Sequence, residues 1–232
     1  MDIRIIASGS KGNAYYINDG VSSLLLDAGI PIKAMQPKID FKLSELSGAL
    51  ITHKHNDHSK AVPDLVRYGV DVYAPAEVFE AKAITSHRAH NLEPLKGVKI
   101  GEFSVMPFEL QHDCVNYGFL IESTATGERL LYFTDTFYVK YRFERLDYIL
   151  AECNYSEDVL NANIESGAVP AVTKPRLLKS HMSINTLVDM LKSNNLSRLK
   201  QIYLLHISER NGDEAEFIKK IRDITEAEVY AC

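Results

Sequence analysis

Three histidines and an aspartate fall within the six positions from 53 to 58, directly behind an apolar run. Neutral imidazole nitrogens and carboxylate oxygens suit Zn²⁺, Mn²⁺ or iron as ligands. His53 and His55 project to the same side of an extended backbone, while Asp57 and His58 lie on the turn beyond and could serve a second ion. A surface loop that happens to be rich in histidine is the alternative, and the spacing H-x-H-x-D-H favours a metal site.

The element that must position these side chains is the apolar run 48–52, which predicts a buried strand ending at the first histidine. Similar runs predict further strands at 3–7, 14–18, 23–27, 70–74, 98–111, 118–122, 130–134, 148–152, 201–206 and 228–231. Helical spacing predicts helices at 60–68, 76–83, 185–192 and 214–222. The segment 161–180 contains Gly167, Pro170 and Pro175 and predicts a long connection, which is either functional or a plain surface loop.

Composition is that of an ordinary globular protein. The chain has 232 residues, of which 46% are apolar and 25% charged, and its net charge is −5. This length fits one large domain or two fused halves, and we expect a single domain over 1–232. The acidic balance excludes a general basic coat for nucleic acid but not a small basic patch at a cleft. No apolar run approaches the ~18 residues that span a bilayer, so no membrane partner is expected.

The three cysteines are an odd number, and the N-terminus has no apolar stretch of the signal-peptide kind. Both observations are typical of a reducing compartment and predict a cytoplasmic location.

The H-x-H-x-D-H run and four other residues together resemble the metallo-β-lactamase superfamily. Asp27, which ends a run of leucines, matches the family's first motif, an acid that supports the metal loop from behind. The later motifs are matched by His112 before Tyr117-Gly118, Asp135 in F-T-D-T and His206 in L-L-H-I-S. The resemblance implies an α+β fold, a four-layer αβ/βα sandwich with two facing sheets and helices outside.

The same resemblance implies a site for two divalent ions, zinc or manganese. Two ions about 3.5–4 Å apart can share a hydroxide and clamp the attacking and leaving oxygens of a hydrolysis. The implied ligands are His53, His55 and His112 for one ion and Asp57, His58 and His206 for the other, with Asp135 between them. Asp57 is expected to be catalytic as well as a ligand.

Within the superfamily the chain resembles ribonuclease Z and the compact WalJ/YycJ-type exonucleases. In ribonuclease Z-like enzymes, a Glu and a His at the places of Glu152 and His181 donate a proton to the leaving group. We expect Arg176 and Ser183 to bind substrate, because a guanidinium can hold a phosphate through two hydrogen bonds. A solvated basic surface around Arg176 is the alternative. The segment 8–13 is either a polar loop near the metals or a simple turn.

The sequence therefore predicts a metal-dependent hydrolase that cleaves the phosphodiester bonds of nucleic acid, by resemblance a 5′ DNA exonuclease. The alternative is a hydrolase of a small ester, thioester or cyclic phosphodiester, which suits the acidic net charge. The pair Glu152 and His181 favours the nuclease, because an alkoxide leaving group needs a proton. A binding protein without turnover is disfavoured, since every expected ligand is present. The native metal and the oligomeric state stay open.

Overall fold

The structure is a computed structural model that describes all 232 residues. The strands are β1 (Asp2–Ala7), β2 (Ala14–Asn18), β3 (Ser23–Leu26), β4 (Gly48–Leu50), β5 (Val72–Ala74), β6 (Ala89–Asn91), β7 (Val98–Ile100), β8 (Phe103–Leu110), β9 (Asn116–Ser123), β10 (Arg129–Phe133), β11 (Tyr148–Glu152), β12 (Gln201–Leu205) and β13 (Glu228–Ala231). The helices are α1 (Ile32–Met35), α2 (Asn56–Ser59), α3 (Val62–Arg67), α4 (Ala76–Ala81), α5 (Glu157–Glu165), α6 (Thr173–Ser180), α7 (Ile184–Lys192) and α8 (Glu214–Arg222), with 3₁₀ turns at Gln36–Ile39 and Leu43–Glu45. None of the helices has the length and apolar character needed to cross a membrane.

The chain forms two compact units. Unit 1 consists of Met1–Glu109 and Cys114–Glu128, and unit 2 consists of Leu110–Asp113 and Arg129–Cys232. Each predicted strand and helix corresponds to an observed one whose ends differ by at most a few residues, except in the segments 98–111 and 161–180. The short strand β6 was not predicted.

Unit 1 is built on a six-stranded sheet in the order β1 to β6. The first three strands are antiparallel, and β3 to β6 are parallel. One face of this sheet packs against α1, α3 and α4, and a buried apolar cluster fills the space between them. Because β3 and β4 are parallel with Leu26 opposite Leu50, the residues that follow both strands emerge at the same edge of the sheet.

The prediction of one strand over 98–111 is wrong. Two strands, β7 and β8, pair antiparallel with Ile100 opposite Phe103. The reversal occurs at Gly101, whose φ is +56°, and a Cβ there would lie 2.5 Å from the Ser22 hydroxyl oxygen. Glycine permits this turn because it has no Cβ.

In unit 2, β10 to β13 run parallel in chain order. Phe133 lies opposite Ala151 in one pair, and Glu152 lies opposite Leu205 in the next. The carboxyl ends of three neighbouring strands therefore meet at one edge, which is the usual place for ligand-binding residues in parallel sheets.

The prediction of an irregular connection over 161–180 is also wrong, because two helices occupy most of it. Helix α5 buries Leu160 in a small cluster with Tyr155 and Val169. Helix α6 contains Pro175 as its third residue, a position in the first turn where a backbone N–H has no partner within the helix. None of the α6 residues is buried, so this helix lies on the surface of unit 2.

Candidate functional site

In unit 1, Asp27 holds the histidine run from behind. It follows β3 in a left-handed conformation with a φ of +56°, which aspartate tolerates better than most residues. Its buried carboxylate accepts hydrogen bonds from the Thr52 backbone N–H at 2.8 Å and from His58 Nδ1 at 2.6 Å. Because His58 uses Nδ1–H for this bond, its Nε2 keeps a lone pair that can ligate a metal.

Asn13 is a second buried partner of His58, with its side-chain nitrogen 3.0 Å from His58 Nε2. The amide is oriented by Gly9, whose backbone N–H donates to Asn13 Oδ1 at 2.9 Å, and by the Tyr15 hydroxyl at 3.0 Å. An ion at His58 Nε2 and this hydrogen bond would use the same lone pair. The sequence analysis left the segment 8–13, which ends at Asn13, open between a polar loop near the metals and a simple turn, and it assigned Asn13 no contact with His58.

The other donor atoms of the histidine run also converge. His53 Nε2 lies 3.1 Å from His55 Nδ1, and His58 Nε2 lies 3.5 Å from Asp57 Oδ2. Two ligands of one tetrahedral ion, each roughly 2.1 Å from it, would be separated by about 3.4 Å. Thr52, also missed by the sequence analysis, orients His53 through a 2.9 Å contact between its hydroxyl and Nδ1. This donor set therefore fits divalent cations.

In unit 2, Asp135 and His206 form a pair beyond the ends of β10 and β12. His206 Nδ1 lies 2.7 Å from Asp135 Oδ1. Both residues have a positive φ, +52° and +54°, a left-handed conformation that aspartate and histidine adopt more often than most residues and that turns the backbone at the strand end. The His206 carbonyl accepts a 2.7 Å hydrogen bond from Asn154, which fixes this turn.

Glu152 and His181 form the second pair of unit 2. Glu152 is fully buried, and its Oε1 lies 2.6 Å from His181 Nδ1, while its Oε2 accepts a 2.9 Å bond from the Thr136 backbone N–H. Burial lowers the pKa of His181, but the charge of Glu152 and its hydrogen bond outweigh this and raise the pKa to about 9. Ligand atoms of Asp135, Glu152, His181 and His206 all lie within 4.8 Å of one another.

The remaining predicted residues all belong to unit 2. His112 Nε2 lies 3.2 Å from Asp113 Oδ1. Arg176 is exposed on α6, close enough for its charge to act on His181. Ser183 is buried and caps α7, where its hydroxyl accepts a 3.1 Å bond from the Thr186 N–H. Substrate binding by Ser183 stays a prediction. The seven-ligand set, which draws on both units, stays a prediction.

Comparison with known proteins extends these observations. A profile of the beta-lactamase superfamily domain matches residues 23–207. The chain is 31% identical over 228 residues to "Exodeoxyribonuclease WalJ" of Streptococcus pneumoniae, covering 90% of this chain and 82% of that protein. It is 28% identical over 226 residues to "Exodeoxyribonuclease YycJ" of Bacillus anthracis, covering 90% and 83%.

Among solved structures, the metallo-beta-lactamase fold protein YhfI from Bacillus subtilis is similar to this chain. The TM-score is 0.73 at 16% identity, and the match covers 99% of this chain and 95% of YhfI. The predicted α+β fold of the metallo-β-lactamase type is confirmed by this likeness. With the matched profile and a relative above 30% identity, the chain belongs to the beta-lactamase superfamily.

Proposed function

We propose that this protein is a metal-dependent hydrolase that cleaves the phosphodiester backbone of DNA as an exonuclease. The proposal rests on one observation. The buried Glu152 carboxylate lies 2.6 Å from His181 Nδ1, and ligand atoms of Asp135 and His206 lie close to both. Support comes from two relatives, 31% and 28% identical over most of the chain, that are named exodeoxyribonucleases. A cytoplasmic location is part of the proposal and rests on the sequence.

Two divalent ions, zinc or manganese, are the proposed cofactors. Such ions supply Lewis-acid stabilisation of the phosphoryl oxygens when they are bound. The donor spacing in the histidine run, 3.1 Å between His53 and His55, supports this assignment. The proposed ligands are His53, His55, Asp57, His58, His112, Asp135 and His206, of which Asp57 is also proposed as a catalytic residue.

His181 is proposed as the donor of the proton that the leaving oxygen needs. Its Nδ1 is held by Glu152, so the other ring nitrogen, Nε2, is the one available to a substrate. The His181 side chain is 24% exposed, whereas Glu152 is fully buried, so only the imidazole of this pair is accessible. After the proton leaves Nε2, the bond to Glu152 keeps the ring in place until solvent protonates it again. Arg176, on the preceding helix, is proposed to hold a substrate phosphate.

The test compares leaving groups. His181→Ala should lower kcat about 10²–10⁴-fold on DNA, the range expected for loss of a general acid. On a nitrophenyl phosphodiester the loss should be much smaller, because that leaving group departs without a proton. His87→Ala, an exposed histidine outside both donor sets, is the matched control and should match the wild type. Equal losses on both substrates for His181→Ala would assign it a positioning role instead.

The substrate class and polarity are tested with end-labelled single- and double-stranded DNA and RNA, with free and blocked 5′ ends. Protein purified without chelator and then reloaded with zinc or manganese should degrade DNA from the free 5′ end, and EDTA should abolish this. The 5′ polarity rests on the resemblance to compact exonucleases. Turnover of a thioester, lactone or cyclic nucleotide without any cleavage of nucleic acid would overturn the proposal.

A further inference from the structure

A short segment of unit 2 exposes two neighbouring aromatic side chains and, after them, three basic side chains. Residues 137–145 have the sequence F-Y-V-K-Y-R-F-E-R, which contains three basic side chains and one acidic side chain, a net charge of 3 − 1 = +2. Phe137 and Tyr138 are 36% and 52% exposed, although both are large aromatic residues. The basic members, Lys140, Arg142 and Arg145, are exposed as well. This is a local basic surface on a chain whose net charge is −5.

The segment is anchored, although it contains neither helix nor strand. Val139 and Phe143 are buried at 5% and 8% exposure, between the residues that point outward. The Phe143 backbone N–H donates to Asn194 Oδ1 at 2.6 Å, and the Thr136 hydroxyl donates to the Tyr138 carbonyl at 2.9 Å. These contacts fix which side chains face outward, so the exposure of Phe137 and Tyr138 is built into the fold.

The segment begins next to Glu152 and His181, the proposed proton-donating pair. Asp135 and Thr136 precede Phe137 directly, and the Thr136 backbone N–H donates to Glu152 Oε2 at 2.9 Å. Glu152 in turn holds His181. A nucleotide that contacts Phe137 or Tyr138 would therefore be placed close to the imidazole that the proposed reaction uses.

We propose that residues 137–145 form a stacking platform for the unpaired bases of a DNA strand beside the scissile phosphate. Phe137 and Tyr138 stack on bases, and Lys140, Arg142 and Arg145 contact the phosphates. Exposed aromatic side chains next to exposed cations suit the bases and the phosphates of a single strand. Stacking does not depend on base identity, which suits an enzyme that must degrade any sequence. This inference rests on the proposed function, and it adds where the strand is held.

The first test measures kcat and KM on single-stranded DNA for Phe137→Ala and Tyr138→Ala. Removal of one base-stacking side chain should raise KM about 5- to 150-fold, with unfolding temperatures unchanged because both side chains are exposed. Activity of these variants on a nitrophenyl phosphodiester, which has no base, should match the wild type. Tyr68→Ala is the matched control, since Tyr68 is a similarly exposed tyrosine, 56%, in unit 1.

A second comparison uses DNA with abasic positions near the 5′ end. The wild type should bind abasic DNA more weakly than intact DNA, and Tyr138→Ala should show a smaller difference between the two, because only Phe137 then remains to stack on a base. A variant that keeps the aromatics, Lys140→Gln with Arg142→Gln, should reduce the salt dependence of log KM by about 0.7 for each phosphate that is no longer neutralised.

The results separate the two proposals. Wild-type cleavage of DNA with unchanged KM in all of these variants would overturn the platform and leave the exonuclease intact. A KM increase for Tyr138→Ala that persists undiminished on abasic DNA would also overturn it, since stacking requires a base. A wild type that cleaves no nucleic acid would overturn the proposed function and the platform together.

Discussion

Asp27 is the residue whose replacement most directly tests how the histidine run is supported. Its buried carboxylate accepts hydrogen bonds from the Thr52 N–H and from His58 Nδ1, at 2.8 and 2.6 Å. In Asp27→Ala both buried donors lose this partner, and each such loss costs about 1–3 kcal/mol. The variant should therefore lose about 2–6 kcal/mol of unfolding free energy, a large fraction of the roughly 5–15 kcal/mol that is typical of folded proteins.

Asp27→Asn separates stability from metal binding. Asparagine tolerates the left-handed backbone and can still accept the Thr52 N–H bond through its oxygen. Its NH₂ group would face His58 Nδ1, so the imidazole must move its proton to Nε2, the nitrogen proposed as a metal ligand. Metal affinity should fall about 10–100-fold, as for other partners that orient a ligand, with a stability loss smaller than that of the alanine variant.

The assays are urea unfolding followed by circular dichroism and zinc competition against a chromophoric chelator. Asp40→Asn is the matched control, because Asp40 is also a left-handed aspartate, with a φ of +55°, but its exposed side chain pairs with Arg4 at the surface. This control should change stability by less than about 0.5 kcal/mol and leave zinc affinity unchanged. Unchanged zinc affinity in Asp27→Asn would refute the reasoning that Asp27 sets the tautomer of His58.

Three further predictions concern metal content, backbone strain and salt. Metal analysis should find close to two ions per chain in the wild type and a loss of both in Asp135→Ala, since the proposed role of Asp135 is to bridge; one tightly bound ion with full activity would argue against this. Ala83→Gly should raise the unfolding temperature by about 1–4 °C, because Ala83 has a φ of +51° after α4, whereas Ala162→Gly within α5 should lower it. Nuclease activity should fall between about 50 and 200 mM salt, less steeply than for a strongly basic nuclease; insensitivity to salt would contradict the proposed phosphate contacts.

Most strands could be predicted because their signal is local. The apolar runs at 14–18 and 148–152 correspond to β2 and β11 without a shift, since burial of consecutive side chains is written in consecutive residues. The prediction from local sequence failed where glycine and proline residues were taken to exclude a helix. Gly167 and Pro170 lie between α5 and α6, and Pro175 lies in the first turn of α6, where proline is tolerated. Their effect depends on position within a helix, which composition does not specify.

The histidine run could be identified from the sequence because its donor groups lie within one turn of chain. The spacing of residues along the chain does not show which distant side chains contact these histidines. Asp27 and Asn13 are 31 and 45 positions from His58, and Glu152 is 29 positions from His181. The Asp27 contact depends on the parallel register that places Leu26 opposite Leu50, and the Glu152 contact depends on the path of α5 and α6. The family resemblance implied that Asp27 supports the run and that Glu152 pairs with His181. Register and chain path come from packing between distant segments, so only the tertiary structure decided which atoms meet, and it alone placed Asn13 on His58.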